Sequence, residues 1–315
     1  MIKDNFFSKK KVFVTGHNGM VGSALLKKLR KLNCKILTEN KINLDLRNQK
    51  KVELWFKKNK PDYVFLLAAK VGGIYANNTY PADFIYDNIM IQTNVIKSSY
   101  NFRVKKLIFL GSSCVYPKNI KKKIVENDLM SGPLEDTNRA YAIAKISGLE
   151  LIKSFKKQYG CNFISAMPCN IYGINDNFDS QNSHVFAALI KKITEAQIDK
   201  IKKIIIWGNG KVKREFIFSE DVADALIFLM KKYNGEEAIN IGAKNDMTVT
   251  NLAKLIIKVL GYKIKIALDQ NYPSGVFRKK LSTKKIENLG WKPKTDVKKG
   301  IKIVSKWYIK KYLCH

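Results

Sequence analysis

The chain has 315 residues, with 58 lysines and arginines against 26 aspartates and glutamates, which gives a formal net charge of +32. Its hydrophobic content of 46% excludes a wholly disordered chain. No uninterrupted apolar stretch approaches the roughly 20 residues that span a bilayer, so a transmembrane protein is excluded. The N-terminal segment lacks the apolar core and cleavage site of a secretion signal, and we therefore expect a cytoplasmic protein.

The basic excess points first to a nucleic-acid or anionic-membrane partner. Only six of the 58 basic residues are arginine, however, although arginine pairs with phosphate oxygens better than lysine does. The lysines are spread along the whole chain in twos and threes, as on solvated helix faces. We favour a compositional bias over nucleic-acid binding, and the basic field could still help to collect an anionic substrate.

The five cysteines are odd in number, and none of them is spaced as CxxC. Disulfide frameworks and zinc knuckles use paired or closely spaced cysteines, so the pattern predicts reduced thiols in a reducing compartment. The three histidines are too few for a histidine-rich metal site. We therefore expect neither a structural disulfide nor a bound metal.

The first half of the chain predicts strands that alternate with helices. Each predicted strand is a short apolar run, and each predicted helix repeats apolar residues at helical spacing. The predicted strands cover residues 11–16, 34–38, 62–69, 106–113 and 162–173, and the predicted helices cover residues 23–32, 49–59, 82–101 and 141–160. This alternation predicts βαβ units and an α/β fold with a doubly wound parallel sheet, the Rossmann arrangement.

The pattern becomes looser beyond residue 175. A polar loop at 175–183 ends in a predicted N-cap before a helix, and residues 203–232 predict a strand, a turn, a strand and a helix. We predict one domain over residues 1–173 and a smaller C-terminal domain over residues 174–315. The smaller domain is expected to pack over the mouth of the sheet and to send some chain back to it.

A glycine-rich loop follows the first predicted strand and opens the first predicted helix. Its glycines are spaced as GxxGxxG, the spacing of short-chain dehydrogenases and reductases. Glycine allows the tight turn, the close approach of the backbone to a pyrophosphate, and close packing of helix on strand. The predicted dinucleotide contacts in this loop are Gly16, Asn18, Gly19, Met20, Val21 and Gly22.

The segment after the second predicted strand bears on the choice of dinucleotide. An acidic residue about 20 positions after the glycines usually binds the ribose 2′-hydroxyl of NAD, and Glu39 fits that role. Lys41 and Arg47 are close to it in sequence, and a basic residue favours NADP. Asp45 and Leu46 resemble a pair that meets the adenine ring, with a plain turn at the end of the strand as the alternative.

Three residues predict reduction chemistry at the other end of the site. Tyr141 and Lys145 are four residues apart on a predicted helix, so both side chains lie on one face. A neighbouring ammonium lowers the pKa of a phenol, and we expect Lys145 to prepare Tyr141 for proton transfer in this way. Ser112 ends a predicted strand, where its hydroxyl can polarise a carbonyl. With the glycine loop, this set indicates a reductase or an epimerase.

Six further segments are more specific. They are residues 68–88 (AAKVGGIYANNTYPADFIYDN), 109–117 (FLGSSCVYP), 141–145 (YAIAK), 167–173 (MPCNIYG), 175–185 with NDNFD and NSHV, and 207–223 (WGNGKVKREFIFSEDVA). Together they resemble the GDP-L-fucose synthase family over nearly the whole chain, as far as GVFRKKL at 275–281. These enzymes are extended short-chain, NADP(H)-dependent epimerase-reductases that act on GDP-4-keto-6-deoxymannose.

The resemblance implies a reaction in two parts. Cys114 and His184 would serve as base and acid that invert C3 and C5 beside the C4 ketone, where protons are acidified. Hydride from the nicotinamide would then reach C4 while Tyr141 protonates O4, with Lys145 and Ser112 assisting. A homodimer is also implied, because helices 82–101 and 141–160 resemble the pair that forms a four-helix bundle in such dimers. Ordinary core burial of these two helices is the alternative.

The resemblance also implies ligand contacts outside the catalytic group. Residues 1–173 would mainly bind the dinucleotide, with Ala69 among its contacts, and residues 174–315 would mainly bind the nucleotide sugar. Asn170 would lie near both the nicotinamide and the sugar. Trp207 and Arg214 match positions that contact the nucleotide sugar, and Arg278 is a candidate for the GDP moiety.

The chain departs from the family pattern at three positions. Asn18 and Glu39 stand where the family usually has arginines for the 2′-phosphate of NADP, so NAD(H) is the alternative cofactor. Lys192 replaces an arginine near the pyrophosphate, which keeps the charge and loses the planar fork. The alternative function is therefore reduction at C4 alone, on a GDP-4-keto-6-deoxyhexose or a GDP-4-keto-heptose.

Overall fold

The computed structural model describes residues 5–179, 183–269 and 277–313. Its first half consists of strands and helices that alternate as the sequence predicts, with helix α3 added. The elements are β1 (Lys11–Thr15), α1 (Met20–Leu29), β2 (Lys35–Leu37), α2 (Gln49–Asn59), β3 (Tyr63–Leu66), α3 (Ile74–Thr79), α4 (Pro81–Asn101), β4 (Lys106–Leu110), α5 (Arg139–Tyr159) and β5 (Phe163–Pro168).

Local sequence explains where these elements begin and end. Strands β3, β4 and β5 are buried at every position, which is why they read as nearly continuous apolar runs. The side chain of Asn48 accepts a hydrogen bond from the Lys51 amide and caps α2. Pro81 begins α4, where its missing N–H costs nothing, and Gly160 ends α5 in the left-handed conformation with φ +66°.

The predicted strand 162–173 is two strands, because the chain leaves the first sheet after Pro168. In the second half, residues 180–182, 270–276 and 314–315 lie outside the described residues. The described part of this half has more elements than the sequence predicts. They are β6 (Asn170–Tyr172), α6 (Val185–Ile198), β7 (Lys203–Trp207), β8 (Lys213–Phe218), α7 (Ser219–Lys232), β9 (Ile239–Ile241), β10 (Asp246–Thr248), α8 (Val249–Leu260), β11 (Lys265–Asp269), β12 (Arg278–Lys279), α9 (Lys284–Asn288) and α10 (Val297–Tyr312).

Six of the described strands form the main sheet, in the order β2-β1-β3-β4-β5-β9, and every neighbouring pair is parallel. This confirms the predicted doubly wound sheet. The order reverses at β1, so the crevice that receives ligands in such sheets lies at the carboxyl ends of β1 and its neighbours. Helix α7 packs on α1 through the Lys28–Asp224 ion pair, with 3.2 Å between its charged atoms, and β9 then joins the edge of the sheet.

A smaller layer stands beside this sheet. Strand β8 pairs with β10, β12 and β6, whereas β7 pairs with β11. The predicted strand-turn-strand at 203–218 is therefore not a hairpin, because the turn at Gly208 and Gly210 sends the chain into another set of strands; both glycines have positive φ. Helices α6, α8 and α10 cover this layer with a second apolar core. Nowhere in the described part of the chain is a helix both long and apolar enough to cross a bilayer.

Glu215 is a buried acid that predicts how stability depends on pH. In β8 it is fully buried, and its Oε2 accepts a hydrogen bond from the Leu281 amide at 3.0 Å. Burial raises its pKa from 4.5 to about 7. A carboxyl whose folded pKa is raised stabilises the fold fully below its unfolded value, and this contribution is lost as the pH rises through the folded pKa.

Glu215→Gln should therefore raise the free energy of unfolding by about 2–3 kcal/mol at about pH 8, where the wild-type carboxyl is charged in both the folded and the unfolded protein. At about pH 4 the two proteins should be almost equally stable, because the wild-type carboxyl is then mostly protonated in both states. Urea unfolding at both pH values measures the difference. An effect of the same size at both pH values would contradict the assignment.

Candidate active site

One cavity of about 1400 Å³ lies between the carboxyl ends of the main sheet and the smaller layer. Its wall runs from the glycine loop after β1, past the ends of β3 and β4, to α6 and Trp207 at the end of β7. The predicted site residues all contribute to this wall, with the exception of Arg278. The fold therefore gathers residues that are nearly 200 positions apart in the sequence.

The glycine loop has the shape that its sequence predicts. Gly16 has φ +68°, and a Cβ atom there would lie 2.9 Å from the Ala68 backbone. A Cβ at Gly22 would lie 2.1 Å from the Gly16 carbonyl oxygen, so α1 packs against the loop more closely than a side chain allows. Gly19 stands at the N-cap of α1 and brings no side chain to its amides. This cradle fits the pyrophosphate of a dinucleotide, since helix N-termini bind anions.

The predicted adenosine contacts lie at the outer end of the same cavity. Asp45 binds the guanidinium of Arg47, with 2.7 Å between Oδ2 and Nη2, and this hydrogen bonding lowers the pKa of Asp45 to about 2. Leu46 lies next to it in the wall. The carboxylate of Glu39, predicted to bind a ribose hydroxyl, accepts a hydrogen bond from the Trp55 indole at 3.2 Å.

Ser112 and Tyr141 come together as predicted. Ser112 lies two residues after the end of β4 in an extended conformation, and its Oγ accepts a hydrogen bond from the Cys114 amide at 3.2 Å. Tyr141 lies in the first turn of α5, where its hydroxyl is near enough to the Ser112 side chain for that side chain to lower its pKa. Its ring packs edge-on against Phe84, with 6.3 Å between the centroids. A serine hydroxyl and a tyrosine hydroxyl thus face one region of the cavity.

The sequence predicted that Lys145 lowers the pKa of Tyr141, and this prediction is wrong. Burial raises it above the ordinary value, the neighbouring Cys114 raises it further, and the hydrogen bond to Ser112 opposes them. Lys145 lies on the same face, but its Nζ donates to the Leu110 carbonyl at 2.9 Å, and burial lowers its own pKa to about 7. Tyr141 therefore stays protonated at neutral pH, as a proton donor must.

Cys114 and His184 reach the cavity from two different parts of the fold. Cys114 sits in the turn after β4, and its Sγ accepts a hydrogen bond from the Asn138 amide at 3.6 Å. His184 occupies the N-cap position of α6. Its ring is open to the cavity but has protein around most of it, and this desolvation lowers its pKa. The Asn of the NSHV motif, at 182, lies outside the described residues.

Cationic and aromatic residues line the end of the cavity farthest from the glycine loop. Lys192 on α6 donates to the Ile205 carbonyl at 2.8 Å, and its Nζ lies 5.7 Å from the centre of the Trp207 ring. Trp207 is 53% exposed. Arg214 in β8 is half-buried, and Asn170 at the start of β6 stands between this end and the catalytic residues. The arrangement suits a nucleotide with a planar base and a pyrophosphate.

Arg278 lies outside the described cavity wall, contrary to the expectation for it. Its guanidinium binds both carboxylate oxygens of Asp246, at 2.6 and 3.2 Å. Successive side chains of a strand point to opposite faces, so its neighbour Lys279 lines the cavity instead, paired in register with Arg214. The sequence Arg-Lys-Lys does not reveal which of its members faces inward.

Two further wall residues were missed from the sequence. The Thr137 hydroxyl and the Asn138 side-chain carbonyl are buried without a hydrogen-bond partner among the described residues. Both precede Tyr141 in the segment TNRAYAIAK, which was the only signal available. As for metals, residues 5–179, 183–269 and 277–313 contain no cluster of three His, Cys, Asp or Glu side chains that could hold one.

Comparison with known proteins agrees with this geometry. Residues 12–242 match the model of the NAD dependent epimerase/dehydratase family. The chain is 48% identical over 292 residues to a GDP-L-fucose synthase of Sinorhizobium fredii, and the match covers 93% of both proteins.

Solved structures give the same picture. A GDP-6-OMe-4-keto-L-xylo-heptose reductase from C. jejuni has a TM-score of 0.90 and 35% identity, over 96% of this chain and 98% of that one. A GDP-L-fucose synthetase from Naegleria fowleri bound to NADP has a TM-score of 0.88 and 28% identity, over 97% and 95% of the two chains. The chain belongs to the NAD dependent epimerase/dehydratase family and, within it, to the GDP-L-fucose synthase family.

Proposed function

We propose that this protein is an NADP(H)-dependent GDP-sugar epimerase and reductase, which inverts C3 and C5 of GDP-4-keto-6-deoxymannose and reduces C4. The observation that carries the proposal is that Cys114, Tyr141 and His184 line one cavity with a glycine cradle at one end and a cationic, aromatic wall at the other. A reductase without epimerisation has no need of the thiol and the imidazole together.

Residues of the main sheet would hold the dinucleotide, which supplies a hydride to C4 when bound. The glycine loop from Gly16 to Gly22 fits its pyrophosphate, and Asp45, Leu46 and Ala69 line the path of the adenosine. Lys145 and Asn170 stand at the catalytic end. We infer that residues 1–173 mainly serve the dinucleotide and residues 174–315 mainly serve the sugar nucleotide, with β9 returning to the sheet.

Epimerisation needs a base and an acid beside the activated carbons. The Asn138 amide donates a hydrogen bond to Cys114 Sγ, which orients the sulfur in the cavity. His184 is neutral at neutral pH because desolvation lowers its pKa. When Cys114 removes a proton, the negative charge of the enolate offsets this desolvation and lets His184 take up a proton from solvent. His184 can then return a proton to the other face of the carbon.

Reduction needs a proton for the oxygen at C4. Tyr141 is protonated because burial raises its pKa, so it donates its proton as negative charge develops on that oxygen. Ser112 donates a second hydrogen bond to the same oxygen. Lys145 is buried against the Leu110 carbonyl and the Phe109 ring, and its pKa of about 7 leaves it partly charged near Tyr141 at neutral pH.

Trp207, Lys192, Arg214 and Lys279 are assigned to the GDP moiety. Lys279→Gln should raise the KM for the GDP-sugar about tenfold with little change in kcat, because a charge-assisted hydrogen bond to a phosphate is lost. Arg278→Gln is the matched control, since Arg278 pairs with Asp246. Steady-state kinetics at saturating NADPH measures both variants. A larger effect of Arg278→Gln than of Lys279→Gln would reverse the assignment.

The proposal is tested by incubating the enzyme with GDP-4-keto-6-deoxymannose and NADPH and identifying the sugar that is formed. GDP-L-fucose is expected, and a product unchanged at C3 and C5 would overturn the epimerase. The alternative is C4 reduction alone, on a GDP-4-keto-6-deoxyhexose or GDP-4-keto-heptose. The similarity to a heptose reductase favours it, as does Lys192 in place of the family arginine. The same assay with a GDP-4-keto-heptose separates the two.

We further propose a cytoplasmic homodimer. Tyr86 on α4 and Ile143 on α5 are exposed on two helices that pack side by side, as in a half of a four-helix bundle. Sedimentation velocity should give twice the mass of one chain. No specific nucleic-acid partner is proposed, and any RNA affinity that the charge of +32 produces should disappear at moderate salt.

A further inference from the structure

The outer end of the cavity contains an acidic residue that bears on the choice of cofactor. A carboxylate after the second strand of a dinucleotide-binding sheet pairs with a ribose 2′-hydroxyl and disfavours a 2′-phosphate. Glu39 occupies this place, after β2 and in the cavity wall. Taken alone, it predicts NADH, which is at odds with the proposed use of NADPH.

The protein itself engages the carboxylate of Glu39. Its Oε1 accepts a hydrogen bond from Trp55 Nε1 at 3.2 Å, and its Oε2 lies 3.5 Å from the side-chain amide of Asn43. The indole is held firmly, because its ring lies 4.1 Å from the Phe13 ring of β1 and 5.5 Å from that of Phe56. Trp55 is therefore a fixed donor that draws the carboxylate towards α2.

A lysine stands beside this carboxylate on a well-defined turn. Asn40 accepts two backbone hydrogen bonds, from Asn43 to its side chain at 2.9 Å and from Leu44 to its carbonyl at 3.0 Å. Lys41 is the next residue on that turn, and it is exposed and lines the cavity. Its ammonium is thus free to move at the cavity rim, next to the position of the ribose.

Arg47, the other cation near the expected position of the ribose, is already paired with carboxylates. Arg47 binds Asp45 through Nε and Nη2, and its Nη1 binds Asp87 on α4 at 3.0 Å. Two carboxylates neutralise this guanidinium and orient it towards α4. Arg47 therefore has little charge left for a phosphate, which leaves Lys41 as the cation that can meet one.

We propose that Lys41 selects NADPH by binding its 2′-phosphate, and that Trp55 makes this possible by holding the Glu39 carboxylate. The inference rests on the proposed NADP(H)-dependent function, and it names the residues of this chain that distinguish the two cofactors. Lys41 supplies the attraction, and the Trp55–Glu39 hydrogen bond weakens the repulsion by holding the carboxylate towards α2.

The test measures binding of NADPH and of NADH by isothermal titration calorimetry without any sugar, so that no turnover is needed. The wild type should bind NADPH at least about tenfold more tightly than NADH. Lys41→Gln should lose about tenfold in NADPH affinity and leave NADH affinity unchanged. Lys50→Gln, at an exposed lysine outside the cavity wall, controls for the general loss of charge. Equal losses for the two cofactors would overturn the role of Lys41.

A second variant tests the role of Trp55. Trp55→Phe keeps an aromatic ring against Phe13 and removes the N–H, so NADPH affinity should fall several-fold while NADH affinity rises. Adding Glu39→Gln to it should restore NADPH binding, which a mere packing defect would not allow. An unchanged ratio of the two affinities in Trp55→Phe would overturn the inference.

These results are separable from the proposed reaction. An enzyme that converts the GDP-sugar but binds both cofactors equally well contradicts only this inference. An enzyme that discriminates NADPH through Lys41 but leaves the GDP-sugar unchanged contradicts only the proposed function.

Discussion

Tyr141→Phe is expected to abolish reduction, with a fall in kcat of about 10²–10⁴-fold, the range that general acids contribute. The phenol of the buried Tyr141 is the proton donor that faces the cavity beside Ser112, and phenylalanine keeps the ring against Phe84 without the proton. NADPH affinity should stay within about twofold, since the hydroxyl is assigned to the sugar and not to the cofactor. The measurement is NADPH oxidation in single-turnover conditions, beside calorimetric binding.

Tyr159→Phe serves as the matched control for this variant. Tyr159 lies at the other end of the same helix, is 44% exposed, and stacks on Tyr100. It should react at the wild-type rate. Turnover retained in Tyr141→Phe would refute the role of Tyr141 as the acid, and a loss of NADPH binding would show that the substitution has damaged the site more widely.

Cys114→Ser and His184→Asn are expected to lose epimerisation far more than reduction. Exchange of the C3 and C5 hydrogens with deuterated solvent, followed by mass spectrometry, should fall by about 10²–10⁴-fold in each variant. NADPH oxidation on an already epimerised 4-keto sugar should fall only a few-fold, because Tyr141 and Ser112 are intact. The physical reason is that removal and return of the carbon-bound protons is assigned to Cys114 and His184, whereas protonation of the C4 oxygen is assigned to Tyr141.

The control for the thiol is Cys161→Ser, at a half-buried cysteine in the loop before β5 and outside the cavity wall. It should exchange deuterium at the wild-type rate. If Cys114→Ser and His184→Asn both keep normal exchange, the epimerase assignment fails and C4 reduction alone becomes the function. If exchange and reduction fall together, the two residues position the sugar and do not transfer its protons.

Local sequence determined the order of elements in the first half of the chain. Strands β3, β4 and β5 are buried on both faces, so they read as apolar runs, and the intervening helices show their apolar stripe. The glycine loop could also be predicted from the sequence, because only glycine fits at position 22, where a Cβ would meet the Gly16 carbonyl oxygen. The spacing of Tyr141 and Lys145 likewise determined that both lie on one helical face.

Tertiary structure decided the surroundings of these residues, and with them their pKa values and which side chains face the cavity. The pKa of Tyr141 is raised and not lowered, because burial by distant elements outweighs a lysine four residues away whose Nζ binds Leu110. Lys279, not Arg278, lines the cavity, because the pairing of β12 with β8 decides which face of a strand is turned inward. Spacing along the chain sets local geometry, whereas burial, strand register and contacts between distant segments, such as Glu39 with Trp55, exist only once the chain has folded.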